Sequence, residues 1–221
     1  MTPNAEAPPI RSKNVSYLLG VDHLRGLAAL YIVLYHGIQQ LRGSVGAAQL
    51  FPQAQHPASA SLIEGHTAVA LFMVLSGFIL TYGADRREVH YGRFMKNRVL
   101  RVIPMYAIVV LIAAFSNPGD LTLARFLPFV LMLATPPFPA ADMGVWSAVL
   151  WSVSVEFVFY LLFPFLLRFL QRWGVRYLLA LLALLNLLRL LAAATNPEQV
   201  RDLSYWTIVG RLDQFVLGML G

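Results

Sequence analysis

A single helix-length stretch, "GVDHLRGLAALYIVLYHG", sets Asp22, His23, Arg25 and His36 in an otherwise apolar run. An imidazole changes charge near neutral pH, so His36 is a candidate general base for proton transfer. Asp22 and Arg25 stand three residues apart, which puts them on one helical face as a candidate ion pair. Arg25 and His36 are eleven residues apart, close to a whole number of turns. They share a face and are separated by roughly 16 Å along the axis. The bland alternative is that Arg25 snorkels to lipid headgroups while His36 caps the helix.

Two further groups carry chemistry. In "NRVLRVIPMY", Arg98 and Arg101 have i,i+3 spacing and point the same way from the start of a helix. A two-arginine fork suits phosphate groups, though a basic anchor for anionic headgroups uses the same residues. In "VWSAVLWSVSVEFVFYLLFPFLL", Glu156 lies deep in an apolar helix behind Trp146 and Trp151, which suit a membrane interface. A histidine and a carboxylate at comparable depth have the makings of a base and its orienting group, against the plain reading of a glutamate hydrogen-bonded within the bundle. Ser76 and Gly77, mid-way along "TAVALFMVLSGFILTYG", read as a small-residue packing site, and Ser76 as a poor nucleophile. Arg211 and Asp213 are two apart, so they face different ways and need separate partners; Arg189 is a further charge in an apolar run. The histidines, at 23, 36, 56, 66 and 90, have no metal-ligand spacing, so no metal is expected.

The elements that must position these groups are membrane helices. Hydrophobic residues make up 58% of the 221, charged residues 13%, and cysteine is absent. That excludes disulfides and thiolate chemistry and points to an all-α, polytopic transmembrane bundle. Apolar runs fall near 24–40, 67–83, 102–116, 121–135, 147–167, 175–195 and 204–221, giving about six or seven hydrophobic segments. The net charge of +6 is gathered in loops, which reads as topology rather than nucleic-acid binding. The loop at 84–101 carries Arg86, Arg87, Arg93, Lys96, Arg98 and Arg101, against Arg42 alone in 41–66, so the positive-inside rule places the first in the cytoplasm together with the N-terminus. Arg168, Arg172 and Arg176 join that side only if 121–145 is re-entrant or partial; in a full crossing the charge rule fails there. Residues 1–16 are polar and lack a signal-peptide core, and are expected to form a disordered cytoplasmic N-terminus. The final run ends while still apolar, as expected of a domain over 17–221 that is incomplete at its C-terminus.

Five motifs, "GVDHLRGLAALYIVLYH", "LFMVLSGFIL", "RVLRVIPMY", "WSVSVEFVFYLLFP" and "RLDQFVLGML", occur in the order seen in the acyltransferase 3 family of integral membrane O-acyltransferases. The chain resembles that family over roughly residues 17–221. The resemblance implies acyl-CoA, commonly acetyl-CoA, as a cytoplasmic co-substrate, with no permanently bound cofactor. It implies a hydroxyl acceptor on the far side of a bacterial inner membrane, most often a surface or exported polysaccharide. His36 matches the family's essential histidine and Arg25 its helix-one arginine. Arg98 and Arg101 match its R-x-x-R pair for the CoA donor. Glu156 matches the W-S-x-x-x-E glutamate, with Trp151 and Ser152 as the motif's other members and Asp22 as a supporting residue. The chain departs from the family in having Phe157 and Val158 where another polar residue is common, and in supplying fewer helices than the family's about ten.

The expected partners are therefore the lipid bilayer, acyl-CoA and a carbohydrate acceptor, and no nucleic acid. His36 is expected to act as general base or as a transient acyl carrier, Glu156 to orient or stabilise it, and the arginines to hold the CoA phosphates. Rival readings are a transport module for protons or an anionic solute, and a truncated acyltransferase without a complete site.

Overall fold

The computed structural model describes residues 18–41, 66–84, 88–116, 122–133 and 147–221. The N-terminal segment 1–16, Arg42, His56, Arg86, Arg87, the proline-rich stretch 135–144 and Trp146 lie outside them. The described residues are helical, with no strand among them. In chain order the helices are α1 (Leu19–Leu41), α2 (His66–Gly83), α3 (Tyr91–Ser116), α4 (Leu123–Val130), α5 (Ser147–Trp173), α6 (Val175–Thr195), α7 (Pro197–Trp206) and α8 (Ile208–Leu220). By length and composition α3, α5 and α6 are able to cross a membrane.

α3 and α5 run antiparallel. Near the start of α3, Tyr91 packs on Phe165 and Phe94 stacks on Phe163. Further along, Tyr106, Val110 and Ala113 meet Leu150 across Phe129 and Met132. The end of α3 and the start of α5 therefore lie on one side of the bundle. Between them α4 has eight residues, a length of about 12 Å, too short for a bilayer core of about 30 Å. Of the stretch 121–145, the described residues are 122–133. The antiparallel packing brings the basic start of α3 and the Arg168, Arg172 and Arg176 cluster to the same end of the bundle, called here the basic end. At that end Gly174 takes φ 72°, a left-handed turn that reverses the chain from α5 into α6.

α8 enters the bundle beside α5. Phe215 stacks on Phe159 at 4.0 Å, and both rings are fully buried. α8 also crosses α2 with the two backbones in contact. A Cβ added at Gly77 would run into the carbonyl of Phe215, and one at Gly218 into the carbonyl of Val74. Gly77 is thus the packing residue that its small size implies, since close backbone approach is how membrane helices gain dispersion contacts without a hydrophobic drive.

The run 204–221 is not one helix. Thr207 is extended, at φ −112° and ψ 159°, and its hydroxyl accepts from the Gly210 N–H at 3.3 Å while donating to the Leu203 carbonyl at 2.6 Å. A threonine whose oxygen satisfies an N-terminal N–H favours starting a new helix over continuing the old one. The short α7 that precedes it links α6 to α8 at the end away from the basic end.

Candidate active site

Two cavities lie along a groove between α1, α2 and α5. The first, of about 370 Å³, sits at the basic end and is lined by Asp22 and Arg25 of α1 and by Arg98 and Arg101 of α3, with Leu80 and Phe163 among its apolar walls. All three predicted phosphate-binding arginines thus face one space, although two helices supply them. Asp22 and Arg25 line it together but form no ion pair with each other, so that expected pair is corrected. Their i,i+3 spacing puts them on one face, and both side chains turn to the cavity.

The second cavity, of about 200 Å³, is lined by Ile32, Val69, Phe72, Met73, Ser152 and Glu156. It sits seven residues further along each of three helices: Ile32 follows Arg25 on α1, Met73 precedes Leu80 on α2, and Glu156 precedes Phe163 on α5. Seven residues are two turns, so the cavities are about 10 Å apart on one continuous face.

Between them runs a chain of polar contacts. Ser152, Glu156 and Tyr160 recur every four residues, which stacks them on one face of α5. Glu156 Oε1 accepts a hydrogen bond from Ser76 Oγ at 2.9 Å and another from the Tyr160 hydroxyl at 2.5 Å. The Arg98 guanidinium lies over the Tyr160 ring at 5.6 Å and over Phe94 at 5.3 Å. Arg98 Nε is buried and has no hydrogen-bond partner among the described residues. Tyr160 therefore touches the arginine of one cavity with its ring and the carboxylate of the other with its hydroxyl.

Ser76 and Tyr160 are the residues that sequence reasoning missed. The size and neighbours of Ser76 suggest a packing residue, yet its hydroxyl reaches a carboxylate 80 positions away. Tyr160 had a legible signal: it lies four residues after Glu156 and faces the same way.

His36 is half-buried near the far end of α1, its ring edge-on to Tyr35 with centroids 5.2 Å apart. It stands one turn beyond Ile32, the α1 residue that shares a cavity with Glu156. The depths of His36 and Glu156 thus agree to about a turn. The hydrogen bonds to Glu156 described above come from Ser76 and Tyr160.

Trp151 is corrected from a membrane-interface residue to a buried one, 5% exposed. It packs on Tyr205 and Trp206 of α7, with the Arg211 guanidinium 5.5 Å from its ring and 4.4 Å from that of Tyr205. Indole is amphipathic, and α7 offers the same mix of apolar faces and polar edges that headgroups would. Arg211 Nε also donates to the Tyr205 carbonyl at 2.9 Å. Asp213 turns the other way and pairs with Arg189 of α6 at 2.8 Å, so the two charges do find separate partners. Arg189 in addition donates to the Gly210 carbonyl. Among the described residues no three His, Asp or Glu side chains converge as metal ligands.

Residues 18–221 match the profile of the acyltransferase 3 family, described as an acyltransferase domain. The chain belongs to that family. It is 30% identical over 164 residues to Acyltransferase MdmB of Streptomyces mycarofaciens, an alignment covering 69% of this chain and 40% of the relative. It is 29% identical over 134 residues to Nodulation protein 10 of Rhizobium leguminosarum bv. viciae, covering 51% of this chain and 36% of that protein. The part of the acyltransferase 3 chain that aligns thus covers less than half the length of these curated relatives. No solved structure matches it.

Proposed function

We propose that this chain forms the donor-binding and catalytic part of an integral membrane acyltransferase that moves an acyl group from acyl-CoA to an acceptor hydroxyl. The observation that carries the reading is the convergence of Arg25, Arg98 and Arg101 on one cavity, joined through Tyr160 to Glu156 in the next. A cluster of guanidinium groups around a cavity, one with a buried and unpartnered Nε, favours a phosphate-bearing ligand. The CoA phosphates would sit among the arginines, and the pantetheine arm would follow the groove toward Glu156 and His36. The family membership and a relative named as an acyltransferase support this over a transport module.

In the proposed reaction His36 removes the proton of the acceptor hydroxyl as its oxygen attacks the thioester carbonyl. The carbon–sulfur bond breaks, and the CoA sulfur leaves and takes up the proton. Such acid–base assistance contributes about 10²–10⁴ in rate. Glu156, held by Ser76 and Tyr160, supplies negative charge at nearly the same depth and stabilises the imidazolium that forms. The basic end faces the cytoplasm, as its arginine and lysine content favours, so the donor enters there and the acceptor, a polysaccharide or other exported hydroxyl compound, from the opposite face.

The test is release of free CoA from labelled acetyl-CoA by membranes carrying the chain, beside His36→Ala. Release by the parent and loss in the variant are expected. Equal background release from both overturns the reading for this chain.

A further inference from the structure

The second cavity has a composition that the chemistry of proton transfer does not require. Four of its six lining side chains, Ile32, Val69, Phe72 and Met73, are apolar and come from α1 and α2, while its polar members, Ser152 and Glu156, both sit on α5. A thioester carbonyl beside Glu156 would leave the rest of its acyl group facing those four side chains. Resting on the acyl-CoA reading above, we infer that this cavity is the acyl-chain pocket of the enzyme, and that it selects short acyl groups longer than acetyl.

The size follows from the volume. An apolar cavity of about 150 Å³ takes up benzene, a ligand of six carbons. At about 200 Å³ the present cavity has room for a chain of about six carbons. Its position on the same groove, two turns beyond the arginine-lined cavity, fits a ligand with a phosphorylated end, a neutral arm and an apolar terminus. Val69 and Phe72, three residues apart on α2 and both only partly buried, are the lining positions at which a change of side-chain size should alter the space.

The test is binding of CoA and of acetyl-, butyryl-, hexanoyl- and decanoyl-CoA to the whole chain in lipid nanodiscs. Affinity should rise by up to about fourfold per methylene from acetyl- to hexanoyl-CoA, the yield of burying a CH₂ group, and then stop. Val69→Phe fills the cavity and should end the rise at a shorter chain; Phe72→Ala enlarges it and should carry the rise to decanoyl-CoA. A flat series with CoA still bound overturns the pocket and leaves the donor site standing. An unbroken rise through decanoyl-CoA in the parent also overturns it, because that marks a groove open to lipid. A chain that binds neither CoA nor its thioesters overturns both readings.

Discussion

Replacing Tyr160 with phenylalanine isolates the contact between the two cavities. The substitution keeps the ring under Arg98, at 5.6 Å, and removes the hydroxyl, which donates to Glu156 and also interacts with the Arg98 side chain. Ser76 still donates to the same carboxyl oxygen at 2.9 Å, so Glu156 keeps one of the two bonds. A hydrogen bond to a charged group is worth about 1.5–3 kcal/mol net. Each 1.36 kcal/mol is a factor of ten in rate, so a bond that holds Glu156 for the transition state corresponds to about ten- to hundredfold in kcat. The donor KM should change less than kcat, since Arg98 loses one interaction but retains its aromatic platform. Tyr160→Leu removes ring and hydroxyl together and should raise the KM for acyl-CoA as well. Ser76→Ala should resemble Tyr160→Phe, and the double variant should fall short of the product of the two, because both bonds end on one oxygen. The assay is CoA release over a range of acetyl-CoA concentrations in membranes with matched expression. A kcat for Tyr160→Phe within twofold of the parent, or an effect confined to KM, would refute the claim that Tyr160 positions the carboxylate.

Gly77→Ala should lower the thermal midpoint in detergent, because its methyl group meets the Phe215 carbonyl, which is backbone and has no rotamer to yield. Overpacking of this kind costs about 1–3 kcal/mol, and an unchanged midpoint would show that α2 and α8 do not cross where described. Arg98→Lys and Arg101→Lys keep the charge but lose the planar fork. Each should weaken CoA binding in titrations by about tenfold, on the order of one charge-assisted hydrogen bond, with a smaller loss for dephospho-CoA if the 3′-phosphate is the group held and an equal loss if it is the pyrophosphate; unchanged CoA binding in both variants would count against phosphate recognition.

Much of the bundle was legible in the chain. The apolar runs located α2 and α6 closely and α1 to within about a turn. By contrast, α3 begins at Tyr91, inside the stretch read as a basic loop, and α5 runs on to Trp173, because helix continues through polar residues that hydropathy leaves out. The basic residues grouped the start of α3 with the turn between α5 and α6. Within the candidate site, the placements legible in the sequence are those that a single helix carries. Arg98 with Arg101, and Arg25 with His36, follow from helical spacing alone. The break at Thr207 was not visible in hydropathy, because both sides of it are apolar; the capping hydroxyl decides it. Trp151 was misplaced for a related reason, since an indole signals an amphipathic surrounding without saying whether lipid or protein provides it.

Sequence alone determined a membrane bundle with its charges arranged in helical stripes, since composition and period are properties of the chain itself, and five collinear motifs gave its likeness to the acyltransferase 3 family. Only the tertiary structure decided which stripes meet. Ser76 finds Glu156 because Gly77 and Gly218 let α8 and α2 approach to backbone contact beside α5. Arg25 joins Arg98 and Arg101 because α1 and α3 border the same cavity. Arg211 turns to the Trp151 and Tyr205 rings while Asp213 turns to Arg189. A helix specifies the face it presents; the neighbour against that face depends on side-chain shape and on where two backbones can touch, and those are settled only when the helices pack.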